Sequence, residues 1–567
     1  MTAARRRLLS LGLLAAVSVL VLSSLRTYAQ APASSAITFF VHGRIYTNDP
    51  QNPWASAIAV QDGKIICIGA IEHVLLECGG GGENAETVRL NDRFVMPGFN
   101  DAHVHLGNGA SDLLSVRLNG AASIEELQQR VAQAVSAHKE GEWITGRGWD
   151  HTLWLDRKFP TRYQLDAVAP KNPVFLKHIS GHVAVANSLA LKLAEIDKTT
   201  PNPRGGQIEH DGLGEPTGML EEDSAMQLVE WKIPDPTREQ RRHGIELVLA
   251  DVAKSGVTSV QDFSAWEDFQ IYRELKDEGK LTVRITEWLP FEKSLNELED
   301  MRAQAGISDP FLKTGALKGF TDGALGSRTA ALLAPYSDQA STSGILILPP
   351  DELRKMAIER DKAGFQIALH AIGDRANRVA LDTFEAVVKA NGRRDRRDRI
   401  EHAQVVAPED FARFAKLNVI ASMQPSHETT DMRWAEDRLG PDRAHGAYAW
   451  NTMLKNNVHL AFGTDYDVEP ISPFRGLYAC VTRELPDGGP KDGWEPQEKI
   501  SLQDCLKAYT TGSAYAQFEE GKKGELKVGR YADFIALSDD LTKIPPAQYT
   551  KVRVLRTVVG GRTVYQQ

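Results

Sequence analysis

Two histidines two residues apart form the first motif in this chain that could do chemistry. His103 and His105 follow the apolar run Phe94 to Met96, in the segment Gly98-Phe99-Asn100-Asp101-Ala102-His103-Val104-His105. Residues i and i+2 of a β-strand point to the same face, so both imidazoles could bind one metal ion. The motif alone is weak evidence, because a histidine at a strand end is more often a hydrogen-bonded core residue.

Four more residues of metal-binding or catalytic type lie on or just after other apolar runs: Lys318, His370, His402 and Asp465. Each has a plain alternative interpretation, since Lys318 could extend its amine to the surface and Asp465 could cap a turn. If these runs are neighbouring parallel strands, however, their carboxyl ends meet at one face of the fold. The joint occurrence of six such residues therefore predicts a metal centre.

The pattern along the chain predicts the elements that would position these side chains. Helix-like segments near 237–255, 265–278, 293–305, 351–363, 374–390, 408–416 and 443–455 each precede a strand-like run, at 257–260, 283–286, 315–320, 366–370, 399–402, 419–423 and 459–465. With the His-x-His strand this makes eight strands in βαβ units. We therefore predict an α/β protein with a (β/α)8 TIM-type barrel.

The remaining segments predict an insertion and a second domain. The barrel is expected over 98–520, with a large insertion of about 107–235 after its first strand. Short strands and glycine turns occur at 36–97 and again at 521–567, with Asp62-Gly63 as a hairpin signal. The two ends are expected to form one small, discontinuous β-sandwich-like domain; two unrelated β-flaps are the alternative.

The N-terminus and the overall charge bear on location and partners. Three arginines precede the apolar run Leu8 to Leu22, so residues 1–29 are predicted to be a signal peptide of a periplasmic or secreted protein, with an uncleaved membrane anchor as the alternative. The net charge is −9, and the leader carries four arginines and no acid, so the rest carries −13. This excludes a general nucleic-acid-binding role. No membrane contact is expected after cleavage. Of four cysteines, Cys67 and Cys78 are the nearest pair.

Several motifs resemble those of a known family. Val95 to His105 resembles the first-strand signature of the amidohydrolase superfamily, and Gly524 to Phe534 resembles its C-terminal G-x-L-x-x-G-x-x-A-D-[FL] run. Lys318 to Ala330, together with Leu369 to Asp374, is similar to the YtcJ-like branch of that superfamily, which includes N-substituted formamide deformylases. The resemblance covers about 36–565.

The resemblance implies a two-metal site, usually with zinc. His103 and His105 would bind one ion together with Asp465, and His370 and His402 would bind the other. Lys318 would be carboxylated and bridge the two ions, since a bare ammonium has no lone pair for a metal. An unmodified Lys318 beside a single ion is the alternative. Other divalent metals, such as Mn, Co, Ni or Fe, also suit such ligands.

The activity implied is hydrolysis of an amide-type C–N bond in a small molecule, with N-substituted formamides or other N-acyl compounds as the nearest substrates. Bound metal would activate water, and Asp465 would act as general acid/base. Substrate contacts are expected from the insertion and the loop after strand 4, at Trp149, Asp150, His182 and Arg328, with Tyr336 a weaker candidate. Six other histidines match no ligand position and are expected to be non-ligands: His42, His138, His210, His243, His427 and His445.

Other functions stay open from the sequence. A hydrolase of the same fold could act on a lactone or a phosphoester, and a non-catalytic binding protein could keep the barrel. The binding protein is disfavoured because all six expected ligand positions are filled. A homodimer is compatible with the sequence.

Overall fold

A parallel barrel forms the centre of the fold in the computed structural model, which describes residues 36–79, 85–179, 181–203 and 205–567. Its eight strands are β1 (Phe99–Val104), β2 (Val257–Asp262), β3 (Arg284–Pro290), β4 (Leu312–Phe320), β5 (Ile367–Ala371), β6 (Arg399–His402), β7 (Ile420–Met423) and β8 (Leu460–Phe462). Each pairs in parallel with the next, from β1 to β8. The predicted (β/α)8 fold is confirmed.

The seam between β1 and β8 is closed just beyond the end of β8. Asp465 N donates to His103 O at 2.9 Å, and His105 N donates to Tyr466 O at 2.5 Å. Thr464 adds a side-chain bond to Asp101 Oδ2 at 2.7 Å. The segment that carries Asp465 is therefore fixed directly to the strand that carries the histidine pair.

Helices cover the outside of the barrel and bury its apolar face. Those on the barrel segments are Leu106–Leu114, Arg238–Lys254, Trp266–Asp277, Leu295–Ala305, Pro350–Lys362, Asp374–Asn391, Phe411–Leu417, Pro425–Asp431, Ala435–Leu439, Pro441–Ala444, Trp450–Lys455, Pro473–Thr482, Leu502–Lys507 and Ser513–Ala516. Two starts have clear local causes, since Thr237 and Ser294 each form a capping box with the residue three positions later.

One helix differs from its prediction. The segment 443–455 was expected to be one helix, whereas the structure has Pro441–Ala444 and a separate helix Trp450–Lys455. Tyr448 lies between them with φ 51°, outside the right-handed helical region, and its N–H donates to Gln404 O instead of to a helical partner. This backbone contact to the segment after β6 interrupts the helix.

The insertion after β1 forms its own six-stranded sheet: Val116–Arg117, Ile144–Trp149, Val174–His178, Val183–Ala186, Gln207–His210 and Pro216–Glu221. Its helices are Ile124–Ala137, Arg162–Val168, Ser188–Leu193 and Asp223–Glu230. The strands Ile144–Trp149 and Val174–His178 run parallel, so their carboxyl ends lie side by side.

Both chain ends build a third, eight-stranded sheet. The N-terminal side supplies Thr38–Tyr46, Trp54–Gln61, Lys64–Gly69, Glu86–Arg89 and Phe94–Pro97, with a helix at Ile71–Glu77; the C-terminal side supplies Phe534–Leu537, Val554–Val559 and Arg562–Gln566. Phe94–Pro97 pairs with Phe534–Leu537, so one sheet unites both ends as predicted. Asp62 and Gly63 both have positive φ in the predicted hairpin turn.

Two disulfides occur, Cys67–Cys78 and Cys480–Cys505. Within the residues that the structure describes, no helix is both long and apolar enough to cross a membrane. The predicted signal peptide at 1–29 lies outside the described residues. The domain boundaries inferred from the sequence stay predictions.

Candidate metal centre

The carboxyl ends of the barrel strands bring the six residues predicted from the sequence together. His103 Nε2 lies 3.1 Å from Lys318 Nζ and 3.5 Å from Asp465 Oδ1, and His105 Nε2 lies 3.2 Å from the same oxygen. The ring of His402 is centred 5.1 Å from that of His103 and 4.5 Å from that of His370. One cluster therefore contains all six side chains; their roles as ligands stay predictions.

The spacing within this cluster suits a cation. Asp465 Oδ1 is buried and, among the described residues, has no hydrogen-bond partner of normal geometry, although two imidazole nitrogens face it. Two ligands about 2.0–2.1 Å from one tetrahedral zinc ion are about 3.4 Å apart. The observed separations of 3.2 and 3.5 Å match that value, so a metal ion would satisfy atoms that are otherwise left without a partner.

Hydrogen bonds to Nδ1 of three histidine rings determine which ring nitrogen faces the cluster. His103 Nδ1 donates to Glu401 Oε2 at 2.8 Å, His105 Nδ1 to Phe263 O at 2.9 Å, and His402 Nδ1 to Gln424 Oε1 at 2.9 Å. Each bond places the ring proton on Nδ1 and leaves the Nε2 lone pair for a metal. His370 is the exception, since its Nε2 donates to Gly323 O at 3.1 Å and leaves the lone pair on Nδ1.

Burial keeps three of the imidazoles neutral. Burial and the neighbouring Lys318 lower the pKa of His103 to about 4 and that of His370 to about 3, and burial and His370 hold the pKa of His402 well below its usual value. Burial also acts to lower the pKa of His105, but the contact with Asp465 outweighs it and raises that pKa above its ordinary value. Burial alone would raise the pKa of Asp465, but the surrounding histidines hold it well below the ordinary range. The cluster thus offers three neutral imidazoles and one carboxylate near pH 7.

Glu401 and Arg399 form a buried ion pair beside His103. Glu401 accepts from His103 and also from Arg399 Nε at 2.7 Å, and both Glu401 and Arg399 are fully buried. Burial raises the pKa of Glu401, but Arg399 and His103 outweigh it and lower the pKa to about 2. Arg399 also donates to Ala102 O and Ser422 Oγ, which connects this carboxylate to β1 and β7.

Lys318 lies inside the barrel. It is 1% exposed, and its Nζ lies 5.1 Å from the ring centre of Phe320 and 5.7 Å from that of Trp288. Burial lowers the pKa of Lys318 to about 8. About one-tenth of the amine would then be neutral at pH 7, far more than for an exposed lysine.

The backbone is strained where two of these side chains enter the cluster. His402 has φ 72° and Asp465 has φ 56°, in a region that residues other than glycine rarely adopt. Such conformations persist where the surrounding structure holds them, and they concentrate at functional sites.

One histidine in the cluster was missed by the sequence reasoning. His427, which was expected to be a non-ligand, has its Nε2 3.5 Å from Asp465 Oδ2 and stacks against His402 with ring centres 6.1 Å apart. His402, His427 and Asp465 offer ligand atoms within 4.8 Å of one another, as do His103, His105 and Asp465. The expectation that His427 is not a ligand stays a prediction; its place beside Asp465 was not foreseen because it lies on the helix Pro425–Asp431 after β7, four residues beyond the strand end.

The predicted substrate contacts do not lie within this cluster. Trp149 is fully buried in the insertion core, where Nε1 donates to Leu176 O, and this burial does not favour a substrate contact. The side chain of His182 is largely exposed, and its Nδ1 lies 3.1 Å from Glu222 Oε2.

The other candidates contact their own loops. Arg328 donates two hydrogen bonds to the carboxylate of Asp338. Asp150 lies in the insertion, where its Oδ1 accepts from Thr152 N. Tyr336, the weaker candidate, is buried and donates to a backbone carbonyl. Their roles stay predictions.

Comparison with known proteins identifies relatives over nearly the whole chain. The sequence model described as "Amidohydrolase family" matches residues 86–565. Protein LONG AFTER FAR-RED 3 of Arabidopsis thaliana is 35% identical, with 98% of this chain and 96% of that protein covered. The putative amidohydrolase YtcJ of Bacillus subtilis is 32% identical (93% and 98% covered), and the N-substituted formamide deformylase of Arthrobacter pascens is 28% identical (93% and 98% covered).

A solved structure has the same architecture. An uncharacterized metal-dependent hydrolase from Pyrococcus furiosus is 32% identical and superposes with a TM-score of 0.73, covering 89% of this chain and 99% of that one.

Proposed function

Since this chain belongs to the amidohydrolase family and is a metal-dependent hydrolase, we propose that it hydrolyses an amide-type C–N bond in a small molecule. The observation that carries the proposal is the convergence of His103, His105, His370, His402 and Asp465 at one end of the barrel. Four imidazoles, three of them neutral near pH 7, and a carboxylate whose Oδ1 has no hydrogen-bond partner of normal geometry among the described residues suit a hydrolytic zinc site.

His103, His105 and Asp465 would hold the first metal ion, with His370 and His402 holding a second. A bound divalent metal supplies the Lewis acidity that lowers the pKa of water and polarises a substrate carbonyl. Glu401, Phe263 and Gln424 keep the histidine rings in the orientation that presents Nε2.

Lys318 is proposed to carry a carboxyl group. Its Nζ lies 3.1 Å from His103 Nε2, close enough to a first-ion ligand for the longer carbamate to reach the metals. Carboxylation joins the neutral amine to CO2 with loss of one proton and gives an anion with two oxygens. The low pKa of the buried amine supports this step, because only the neutral amine has a lone pair to attack CO2.

Asp465 is proposed to be the general acid/base. Its carboxylate is anionic, and Oδ1 and Oδ2 face different histidines, so one oxygen could bind metal while the other accepts the proton of the attacking water. The same oxygen would then give that proton to the leaving amine. His427 Nε2, 3.5 Å from Oδ2, would hold this second oxygen in place.

N-substituted formamides or other small N-acyl compounds are the proposed substrates. The support is the similarity over 93% of this chain to a protein named N-substituted formamide deformylase. We also propose that the chain is exported as a zinc enzyme, which its two disulfides support because disulfides persist in oxidising compartments.

The test is product analysis with the chain from residue 30 onward. Metal would be removed with a chelator and restored with zinc, and the protein assayed on an N-substituted formamide and on the matching ester, lactone and phosphoester. We expect amine release that depends on metal. Turnover of only the ester, lactone or phosphoester would replace the proposed substrate class, and no turnover of any compound would favour a binding protein.

Asp465→Asn should abolish turnover and leave the fold intact, because the amide cannot accept the proton. The matched control is Asp382→Asn on the outer helix Asp374–Asn391, where the carboxylate is half exposed and pairs with Arg413. Circular dichroism would compare the folds. Normal turnover by Asp465→Asn would disprove the assigned role.

A further inference from the structure

A second cluster of ligand-type side chains lies in the insertion sheet. His151 Nδ1 is 3.4 Å from His178 Nε2, and His178 Nε2 is 3.9 Å from Asp150 Oδ1. The three residues offer ligand atoms that all lie within 4.8 Å of one another. None of them belongs to the barrel centre.

The sheet topology explains how these residues meet. Trp149 ends the strand Ile144–Trp149 and is in register with His178, which ends the parallel strand Val174–His178. Asp150 and His151 follow Trp149 directly. The cluster therefore lies at the carboxyl ends of two adjacent parallel strands, the edge at which α/β sheets commonly bind ligands.

The distance between the two ring nitrogens suits a shared ion better than a hydrogen bond. An N–H donor and its acceptor are usually about 2.7–3.2 Å apart, which is shorter than the 3.4 Å between the two ring nitrogens. Two nitrogen ligands on a tetrahedral zinc ion, each about 2.0–2.1 Å from the metal, are about 3.4 Å apart.

Neighbouring groups already orient the three side chains. Asp150 Oδ1 accepts from Thr152 N at 2.9 Å and from Thr152 Oγ1 at 2.6 Å. The His178 ring packs edge-on against Trp149 with ring centres 4.5 Å apart, and the His151 ring packs against Phe159 at 4.3 Å. Metal ligands in proteins are typically supported in this way by hydrogen bonds and apolar packing.

The cluster is partly accessible to solvent, since the side chains of Asp150 and His178 are 21% and 11% exposed. His178 also forms part of the wall of a cavity of about 470 Å³ that includes Arg147 and Gly181. An ion held by three protein ligands would keep a fourth position for water.

We propose that Asp150, His151 and His178 bind one divalent transition-metal ion, zinc by preference, separate from the barrel centre. Two imidazoles and one carboxylate are borderline donors that suit zinc and its neighbours more than calcium or magnesium. The ion joins the ends of two insertion strands to the short turn that follows, and so stiffens this edge of the insertion.

Zinc stoichiometry tests the proposal on the full chain. The wild type, the double variant His151→Gln/His178→Gln and the control His210→Gln would be stripped with a chelator, reloaded with zinc and desalted before elemental analysis. His210 is an exposed histidine on another strand of the same sheet. We expect the double variant to hold one zinc equivalent fewer than the wild type and the control. Equal zinc content in all three proteins would overturn the proposal.

A second measurement avoids substitutions. Diethylpyrocarbonate modifies accessible imidazoles, and mass spectrometry locates the modified residues in the stripped and the zinc-loaded wild type. Zinc should slow the modification of His151 and His178 at least severalfold and leave that of His210 unchanged. Equal modification rates at His151 and His178 with and without zinc would overturn the proposal. Because this measurement uses the wild type, it decides the proposal even if the double variant does not fold.

Discussion

Glu401 is the hydrogen-bond partner of a side chain that we propose as a metal ligand. It accepts the Nδ1 proton of His103 and is held by Arg399 inside the barrel. Through these two bonds it fixes the ring of His103, the most buried of the proposed ligands, and would increase its basicity toward a metal.

Glu401→Gln should weaken zinc binding about ten- to hundredfold, because the amide cannot hold the same proton as firmly. It should also lower the free energy of unfolding, since Arg399 loses its counter-charge in the barrel interior. Zinc affinity would be measured by competition with a chromogenic chelator. Glu409→Gln, an exposed carboxylate paired with Arg378, is the control and should keep wild-type affinity. Unchanged affinity in Glu401→Gln would contradict the positioning role.

His427 tests how the second oxygen of Asp465 is held. His427→Gln should lower zinc affinity, because the buried Nε2 of His427, 3.5 Å from Asp465 Oδ2, would no longer hold that carboxylate in place. His445→Gln, an exposed histidine paired with Glu495, is the matched control. Zinc binding identical to the wild type in His427→Gln would show that His427 contributes nothing to the metal centre.

At the scale of single residues, the sequence predicted the side chains that lie at strand ends. It did not predict the side chains that form hydrogen bonds to them. His103, His370 and His402 could be found because apolar runs stop at them or just before them. Glu401 lies one residue before His402 within the same strand, and its role depends on a contact across the barrel to β1. No local pattern reports such a contact.

At the scale of elements, the backbone at Gly463 packs so closely against β1 that a Cβ atom would not fit between them. A Cβ added at Gly463 would lie 2.6 Å from His103 N and 2.8 Å from Asp101 Oδ1. Gly463 therefore allows the two strands to approach closely enough for the Asp465 segment to bond to β1.

Gly463→Ala should lower the free energy of unfolding by about 1–3 kcal/mol, as expected for overpacking against backbone. Because the strain falls beside His103 and Asp465, zinc affinity should also fall. Urea denaturation and zinc competition would measure the two effects. Gly212→Ala, at an open position in the insertion with no atom within 4 Å of the new Cβ, should change neither. A Gly463→Ala protein as stable as the wild type would contradict the close seam.

The elements themselves were largely predictable, for a physical reason. The barrel strands β2 to β8 are short buried runs between helices, and the predicted runs at 399–402 and 419–423 agree with β6 and β7 to within one residue. The prediction of one helix over 443–455 was wrong because Tyr448 adopts a positive φ, with its N–H donating to Gln404 O. That contact is tertiary, and helical periodicity does not reveal it.

For the whole molecule, the buried disulfide Cys480–Cys505 joins two helices that follow β8. It closes a loop with a sequence separation of 25 residues. The double variant Cys480→Ala/Cys505→Ala should lose about 3.5 kcal/mol by the loop-closure relation, measured by urea denaturation. Stability equal to that of the wild type would show that the bridge does not constrain the unfolded chain.

Zinc-edge anomalous diffraction from a crystal of the zinc-loaded protein tests the central claim most directly. The account predicts an anomalous peak within bonding distance, about 2.0–2.2 Å, of His103, His105 and Asp465, with a second peak and extra density on Lys318 if that lysine is carboxylated. An active protein whose crystals show no anomalous peak among these residues would contradict the account.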